Sequence, residues 1–281
     1  MRFLSDAELK AILRSHEAWL AGDPNGCRAD LSRAVLSSAN LADVNLSQAD
    51  LFEAKLFNAD LSRANLSEAD LSSADLSGAT CAEADFSKAN LANADLADAN
   101  LAFANLAQAD LSDAILTNAD LTEACLTDAT LANADLFAVS FVDANLSGAT
   151  LTTAELVDTN LAGATLVGAD LSDATLSNAD LTGANLTNAD LSSCDLFTAC
   201  LVDANLTGAI LSAAELVDAN LGGATLVGAD LSDATLANAN LSGADLTDAD
   251  LTNCDLFAAC LINANLHGAI LDGADLMDAE L

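Results

Sequence analysis

The sequence predicts an all-β solenoid, a parallel coil of short extended segments, and three observations carry that prediction. An apolar residue returns at every fifth position, 51 times from Leu31 to Leu281, and it is Leu except at Cys81, Phe86 and Phe141. The position two before it is Ala except at Val44, Val139, Thr159, Cys194 and Cys254. Between them stands mostly Asp, Asn or Thr, and Ser, Thr, Gly, Asp and Asn crowd the two positions after the Leu. A period held this strictly outranks local propensity.

Neither regular element tolerates a period of five. On an α-helix five residues advance 500°, so the leucines would wander around the cylinder and leave no apolar face. On a straight strand an odd step would send alternate leucines to opposite sides. Within one unit, however, Leu and the preceding Ala share parity, so both point inward while the residue between them points out. The chain must then turn at the two positions rich in turn-forming residues. Short extended pieces joined by corners make a polygonal coil, and stacked coils pair as parallel bridges. Ala leaves room for Leu to fill a narrow interior, which is expected to be packed rather than open.

In chain order, Met1 to Leu4 does not read as a signal peptide, because acidic Asp6 and Glu8 follow at once. No run of eighteen apolar residues occurs despite 52% hydrophobic composition, so no membrane span is expected. A cytoplasmic location is the resulting expectation. Ser5-Asp6-Ala7-Glu8 reads as a capping box, with Leu4 and Leu9 placed as a hydrophobic staple. Leu9, Ile12, Leu13, His16, Trp19 and Leu20 then recur at helical spacing, and Gly22 and Pro24 end the run. Residues 6–21 are therefore expected to form an amphipathic helix, followed by a turn at Pro24-Asn25-Gly26. That helix is read as a cap on the open end of the coil stack, or alternatively as a partner-binding helix. The expected division is 1–26, cap and turn, and 27–281, coil.

The coil subdivides further. Residues 141–200 and 201–260 align without a gap and share 45 of 60 positions. The motif Asp-Leu-Phe recurs at Asp135-Leu136-Phe137, Asp195-Leu196-Phe197 and Asp255-Leu256-Phe257, one every sixty residues. Duplication in whole coils is easily tolerated, because each coil touches only its neighbours.

Units such as Ala59-Asp60-Leu61-Ser62-Arg63 make the chain resemble the pentapeptide-repeat family over about nine tenths of its length. The resemblance implies a right-handed quadrilateral β-helix with four pentapeptides per coil, hence about thirteen coils. At ~4.8 Å per parallel spacing such a rod would be roughly 60 Å long. The resemblance also implies a function. Family members that confer quinolone resistance mimic DNA and bind gyrase or topoisomerase IV as dimers joined at their C-terminal ends. This chain is more regular than those members, poorer in Phe and Arg, and without their loop insertions.

Charge gives the functional clue that the residues themselves supply. The formal net charge is −35, and all eight basic residues precede residue 89. Direct nucleic-acid binding is therefore not expected, since nothing would displace the counterions of a phosphate backbone. With four units per coil, the residue before Leu is acidic on one face at Asp30, Asp50, Asp70, Asp110, Asp170, Asp190, Asp230 and Asp250. On the next face it is acidic at Asp75, Asp95, Asp135, Glu155, Asp195, Glu215, Asp255 and Asp275. A third face has four acids, and the fourth has two and is mostly Asn. One reading is solubility alone. The sharper reading is a phosphate-like array for a basic groove, carried by Asp170, Asp190, Asp230, Asp250, Asp195, Glu215 and Asp255. A second class of reading is a scaffold that self-associates through coil ends, with Leu271, Leu276 and Leu281 forming the end surface.

No catalytic site, cofactor or metal site is expected. The chain has no Tyr and two His: His16 on the helix stripe, read as packed or at a rim, and His267 at an outward corner. The seven cysteines include no C-x-x-C, and Cys194/Cys254 and Cys200/Cys260 lie sixty residues apart, about 14 Å along a coil stack. They read as small core or ladder residues rather than bridges.

Overall fold

The computed structural model describes residues 2–281; Met1, the first residue of the stretch that does not read as a signal peptide, lies outside the described residues. The chain forms two compact units, Met1–Asp135 and Leu136–Leu281.

The first unit opens with a two-residue strand β1 (Arg2–Phe3), the helix α1 (Asp6–Leu20) and a second short strand β2 (Ala34–Val35) that pairs in parallel with β1. The helix begins where Ser5 and Glu8 predicted. Glu8 Oε2 accepts from the Ser5 N–H at 2.8 Å, and the Ser5 hydroxyl accepts from the Glu8 N–H at 3.3 Å. It ends at Ala21, and Gly22 follows in the left-handed region at φ +80°. Gly26 is held glycine by packing: a Cβ there would lie 2.6 Å from the Ala18 carbonyl carbon.

The helix is fastened to the first coil through His16, which is fully buried. Its Nδ1 accepts from the Ala29 N–H at 3.1 Å, and its ring stacks on Trp19 at 5.6 Å. Nδ1 as acceptor fixes the neutral tautomer, with the proton on Nε2. Nε2 is buried with no hydrogen-bond partner among the described residues. Burial, the largest cause, pulls the imidazole below its ordinary 6.5; Arg28 acts the same way, while the Ser47 backbone and Glu17 oppose it. The unfolded chain therefore binds a proton that the folded one refuses. Attachment of the helix is expected to be unaffected above pH 6.5 and to weaken as pH falls below it, by up to ~1.4 kcal/mol per pH unit. Trp19 is the sole Trp, so its fluorescence during denaturant titration at pH 7.5 and 5.5 reads this directly. His16→Gln should remove the difference, and a wild-type midpoint that does not move would contradict it.

The coil itself is a hydrogen-bond solution repeated every five residues. In the unit Leu191 to Asp195, the Leu191 N–H donates to the Ile210 carbonyl on the next coil at 2.7 Å. Ser193 N–H reaches the Ser212 carbonyl at 3.0 Å, and Cys194 N–H closes a turn onto the Leu191 carbonyl at 3.2 Å. Asp195 N–H donates back to the Ala174 carbonyl on the preceding coil at 3.0 Å. The remaining donor, Ser192 N–H, goes to the side chain of Asp190 at 2.9 Å. All five backbone donors are thus satisfied, as a buried backbone requires.

Each isolated bridge joins residues twenty apart and parallel, from Asp30↔Asp50 to Ile115↔Asp135 in the first unit and from Ser140↔Asn160 to Cys260↔Glu280 in the second. Four pentapeptides therefore make one coil within each unit. Leu and Ala fill the interior as expected, with Phe86 and Phe141 fully buried at Leu positions. Polar atoms at Ala positions find partners: Thr159 Oγ1 donates to the Leu136 carbonyl and Cys194 Sγ to the Leu171 carbonyl, each at 2.8 Å. Burial pushes the thiols of Cys81, Cys194 and Cys254 up to about 12, which leaves them unreactive. All seven cysteines are free thiols.

Candidate functional site

The residue before each Leu has a structural duty. Asp170 Oδ1 accepts from the Ser172 N–H at 3.0 Å and the Ser172 hydroxyl at 2.7 Å. Asp190, Asp230 and Asp250 accept from Ser192, Ser232 and Thr252 N–H in the same way, and Asp195 and Asp255 from Phe197 and Phe257 N–H. These are Asx turns, which explain why Asp and Asn dominate the position. Asn does the duty equally well: Asn205 Oδ1 accepts from Thr207 N–H and Asn240 Oδ1 from Ser242 N–H, both at 3.1 Å.

Where this side-chain bond forms it needs an oxygen and not a charge, and Ile210 and Ile270 show that the turn also closes without it. The choice of Asp over Asn on particular faces is surplus to folding, and it is the surplus that defines the candidate site.

Within the second unit the bridges place these carboxylates in two columns, in pairs separated by Thr or Ile. One runs Thr150, Asp170, Asp190, Ile210, Asp230, Asp250, Ile270, and the other Glu155, Thr175, Asp195, Glu215, Thr235, Asp255, Asp275. Successive members are one coil apart, ~4.8 Å. No Lys or Arg occurs beyond Lys88, so nothing in this unit neutralises them. The first unit differs: Arg33, Lys55 and Arg63 pair with Glu53, Asp75 and Asp43. Hydrogen bonds from the Thr252 hydroxyl and N–H, the first being larger, hold the Asp250 carboxyl below the usual range, and Thr247 does the same for Asp245. The charges of Asp250 and Asp245 therefore persist further into acidic solution.

A further set of acids went unread in the sequence. The second residue after each Leu is left-handed, with Asp158 at φ 57°, Asp173 at 58°, Asp203 at 56°, Asp218 at 58° and Asp233 at 58°. Asn, Asp and Gly at that position were the available signal, since they tolerate αL best. At Gly223 the reason is double: φ is +70°, and Asp203 Oδ1 of the preceding coil sits 2.5 Å from where a Cβ would be. Asp173 and Asp233 add charge at the corner between the two columns, and Asp158 and Asp218 at the corner after the second.

The other predicted residues fall as follows. Leu271 and Leu276 are half-buried in the last coil and Leu281 is 78% exposed, whereas equivalent leucines further in are sealed. His267 is exposed at a corner. Beside α1 lies a cavity of about 360 Å³ lined by Asp6, Leu9, Lys10, Leu13, Ser38, Ala39 and Asn40, which holds no nucleophile and base in hydrogen-bond reach. Among the described residues no group of three or more His, Cys, Asp or Glu is arranged to hold a metal ion, and no helix is long and apolar enough to cross a membrane.

A family model described as pentapeptide repeats, in eight copies, matches residues 29–152, 154–253 and 259–281 in overlapping runs. The chain belongs to the pentapeptide-repeat family, whose fold is the right-handed quadrilateral β-helix. Among solved structures it is similar to HetL, a pentapeptide repeat protein involved in heterocyst differentiation regulation from the cyanobacterium Nostoc sp. strain PCC 7120. The identity is 39%, over 77% of this chain and 89% of that one, with a TM-score of 0.53. It is also similar to alr5209, a pentapeptide repeat protein of Nostoc PCC 7120, at 38% identity over 40% of this chain and 78% of that one (TM-score 0.23). QnrB1, a plasmid-mediated fluoroquinolone resistance protein, aligns at 20% identity over 79% of this chain and 89% of that one (TM-score 0.43). No curated protein matches the chain.

Proposed function

We propose that the chain is a non-enzymatic, acidic protein-binding module of the cytoplasm. Its carboxylate columns stand in for duplex phosphates against a basic groove, and the partner is a type II topoisomerase, DNA gyrase or topoisomerase IV. The observation that carries this reading is the Asp surplus: Asn would serve every turn, yet Asp170, Asp190, Asp230 and Asp250 stack on one face, and Asp195, Glu215 and Asp255 on the next. Like charges one coil apart repel by roughly 1 kcal/mol in water, so folding and solubility alone favour dispersing them. Paired carboxylates in a column lie ~4.8 Å apart, against ~3.4 Å between charges along a DNA strand, and Ile210, Thr175 and Thr235 separate the pairs. HetL is involved in regulation, and a regulatory role by occupancy is what a surface without catalytic groups supports. The test is displacement of a labelled duplex from a type II topoisomerase. Salt-sensitive displacement supports the reading; an unmoved duplex at large protein excess refutes it.

The leucines of the last coil favour a second property, association of two copies through that end to give a homodimer, with Leu271, Leu276 and Leu281 at the interface. Leu281→Asp, at an exposed position, should convert dimer to monomer in sedimentation equilibrium while the melt is unchanged. A wild-type chain that sediments as a monomer at high concentration would exclude it.

A further inference from the structure

The corner that follows the Asp195 face carries an apolar ridge that neither the fold nor the charge columns explain. The residue just after Leu on that corner stacks once per coil: Asn178 N–H donates to the Phe197 carbonyl, Thr198 N–H to Val217, Asp218 N–H to Ala237, Asn238 N–H to Phe257 and Ala258 N–H to Met277. Upstream, Ala138 N–H donates to the Val157 carbonyl and Asp158 N–H to the Ser177 carbonyl, which places Phe137, Val157 and the one polar member, Ser177, on the same line. Phe137 is 42% exposed, Phe197 46%, Phe257 38% and Met277 59%. The same register on the neighbouring corner is polar throughout this unit: Thr152, Ser172, Ser192, Ser212, Ser232, Thr252 and Asp272.

The ridge has a repeat of three coils. One coil presents Asp195-Leu196-Phe197-Thr198, the next Glu215-Leu216-Val217-Asp218, the third Thr235-Leu236-Ala237-Asn238, and Asp255-Leu256-Phe257-Ala258 begins again. Beside each Phe the left-handed residue is small, Ala138, Thr198 or Ala258. Beside each Val it is Asp158 or Asp218. An aromatic side chain therefore recurs every ~14 Å, with carboxylates on both sides of the Phe–Val pair.

We infer that this ridge is a docking surface for a basic amphipathic helix, whose apolar residues meet the phenylalanines and whose lysines or arginines meet Asp195, Glu215 and Asp218. Charge complementarity selects that occupant. The second unit of another copy does not fit this surface, since it carries no Lys or Arg. Exposed aromatics are the anchors that make an interface specific, and flanking charge sets its orientation. Apolar residues three and four apart keep to one face of a helix, and such a continuous stripe can run the length of the ridge and meet each aromatic of its ~14 Å repeat.

The inference rests on the acidic module binding a basic protein surface, and the experiment separates the two. The full chain is titrated with two fluorescent synthetic peptides of identical composition, each lysine-rich and about three ridge repeats long. In one, leucines recur at alternating spacings of three and four residues, so that they line one helical face; in the other they are scrambled. At about 0.15 M salt the registered peptide should bind about ten-fold more tightly, and Phe197→Ser/Phe257→Ser should erase that preference while circular dichroism is unchanged. Equal binding of both peptides, weakened by salt, would overturn the ridge and leave the charge reading standing. Registered binding that survives the double substitution would also overturn it, and no binding of either peptide at low salt would remove both.

Discussion

Replacing Asp170, Asp190, Asp230, Asp250, Asp195 and Asp255 by Asn and Glu215 by Gln is expected to abolish duplex displacement from a type II topoisomerase. The fold should be untouched. The variant removes seven of the 43 acidic side chains, all from two adjacent columns, and changes no side-chain length. Each Asn keeps the oxygen that accepts from the residue two ahead, as Asn205 and Asn240 already do. Relief of repulsion between coil neighbours, roughly 1 kcal/mol per pair in water, works in favour of the variant. Its melting temperature should therefore equal or exceed that of the wild type, while affinity falls by at least about ten-fold, since each lost exposed charge contact is worth ~0.2–1 kcal/mol. Seven amides placed instead among carboxylates outside the columns should leave displacement nearly intact. Equal losses from both variants would mean that net charge, and not its arrangement, is what the partner feels.

Leu166→Asp should have the largest effect on stability. Leu166 is fully buried, and its N–H donates to Asn185 on the next coil while Thr165, the residue before it, accepts from Leu146 on the coil before. The substitution removes a packed side chain worth ~2–5 kcal/mol. It also brings a carboxylate into an apolar column at a cost of several kcal/mol. Domain stability totals about 5–15 kcal/mol. In a stack whose coils touch only their neighbours, one broken layer uncouples those on either side. Denaturant unfolding of the variant should lose its single cooperative transition, whereas Leu166→Met should cost less than about 1.5 kcal/mol. A variant that unfolds like the wild type would show that this position does not face inward.

The period of five was enough to place Leu166 and Ala164 inside, because parity within one unit allows no other arrangement of two apolar side chains. The step of twenty was not legible from the residues alone; it came from the family resemblance, and the bridges such as Asp170↔Asp190 display it. The Asx turns were missed, since the period assigned Asp190 to the outside without asking which donor it serves. Ser192 N–H was that donor, visible only once the other four donors of its unit had partners. The left-handed corner was blurred by residues that tolerate it poorly, Phe103 at φ 62° and Thr198 at 56°. His16 was legible as part of an apolar stripe. Its role as acceptor for Ala29 depends on where the chain returns after Gly26, which no local pattern states. The exposed phenylalanines were visible as a recurrence, but their meaning required knowing that Thr198 and Ala258 stand beside them at one corner.

The measurement that tests the central claim most directly is a gyrase supercoiling assay with added protein, alone and with a quinolone, at two salt concentrations. The account predicts inhibition of supercoiling or protection from the drug that weakens as salt rises, because the contact is carried by exposed carboxylates. Unchanged supercoiling and unchanged drug sensitivity, with protein well above the enzyme concentration at both salts, would contradict it.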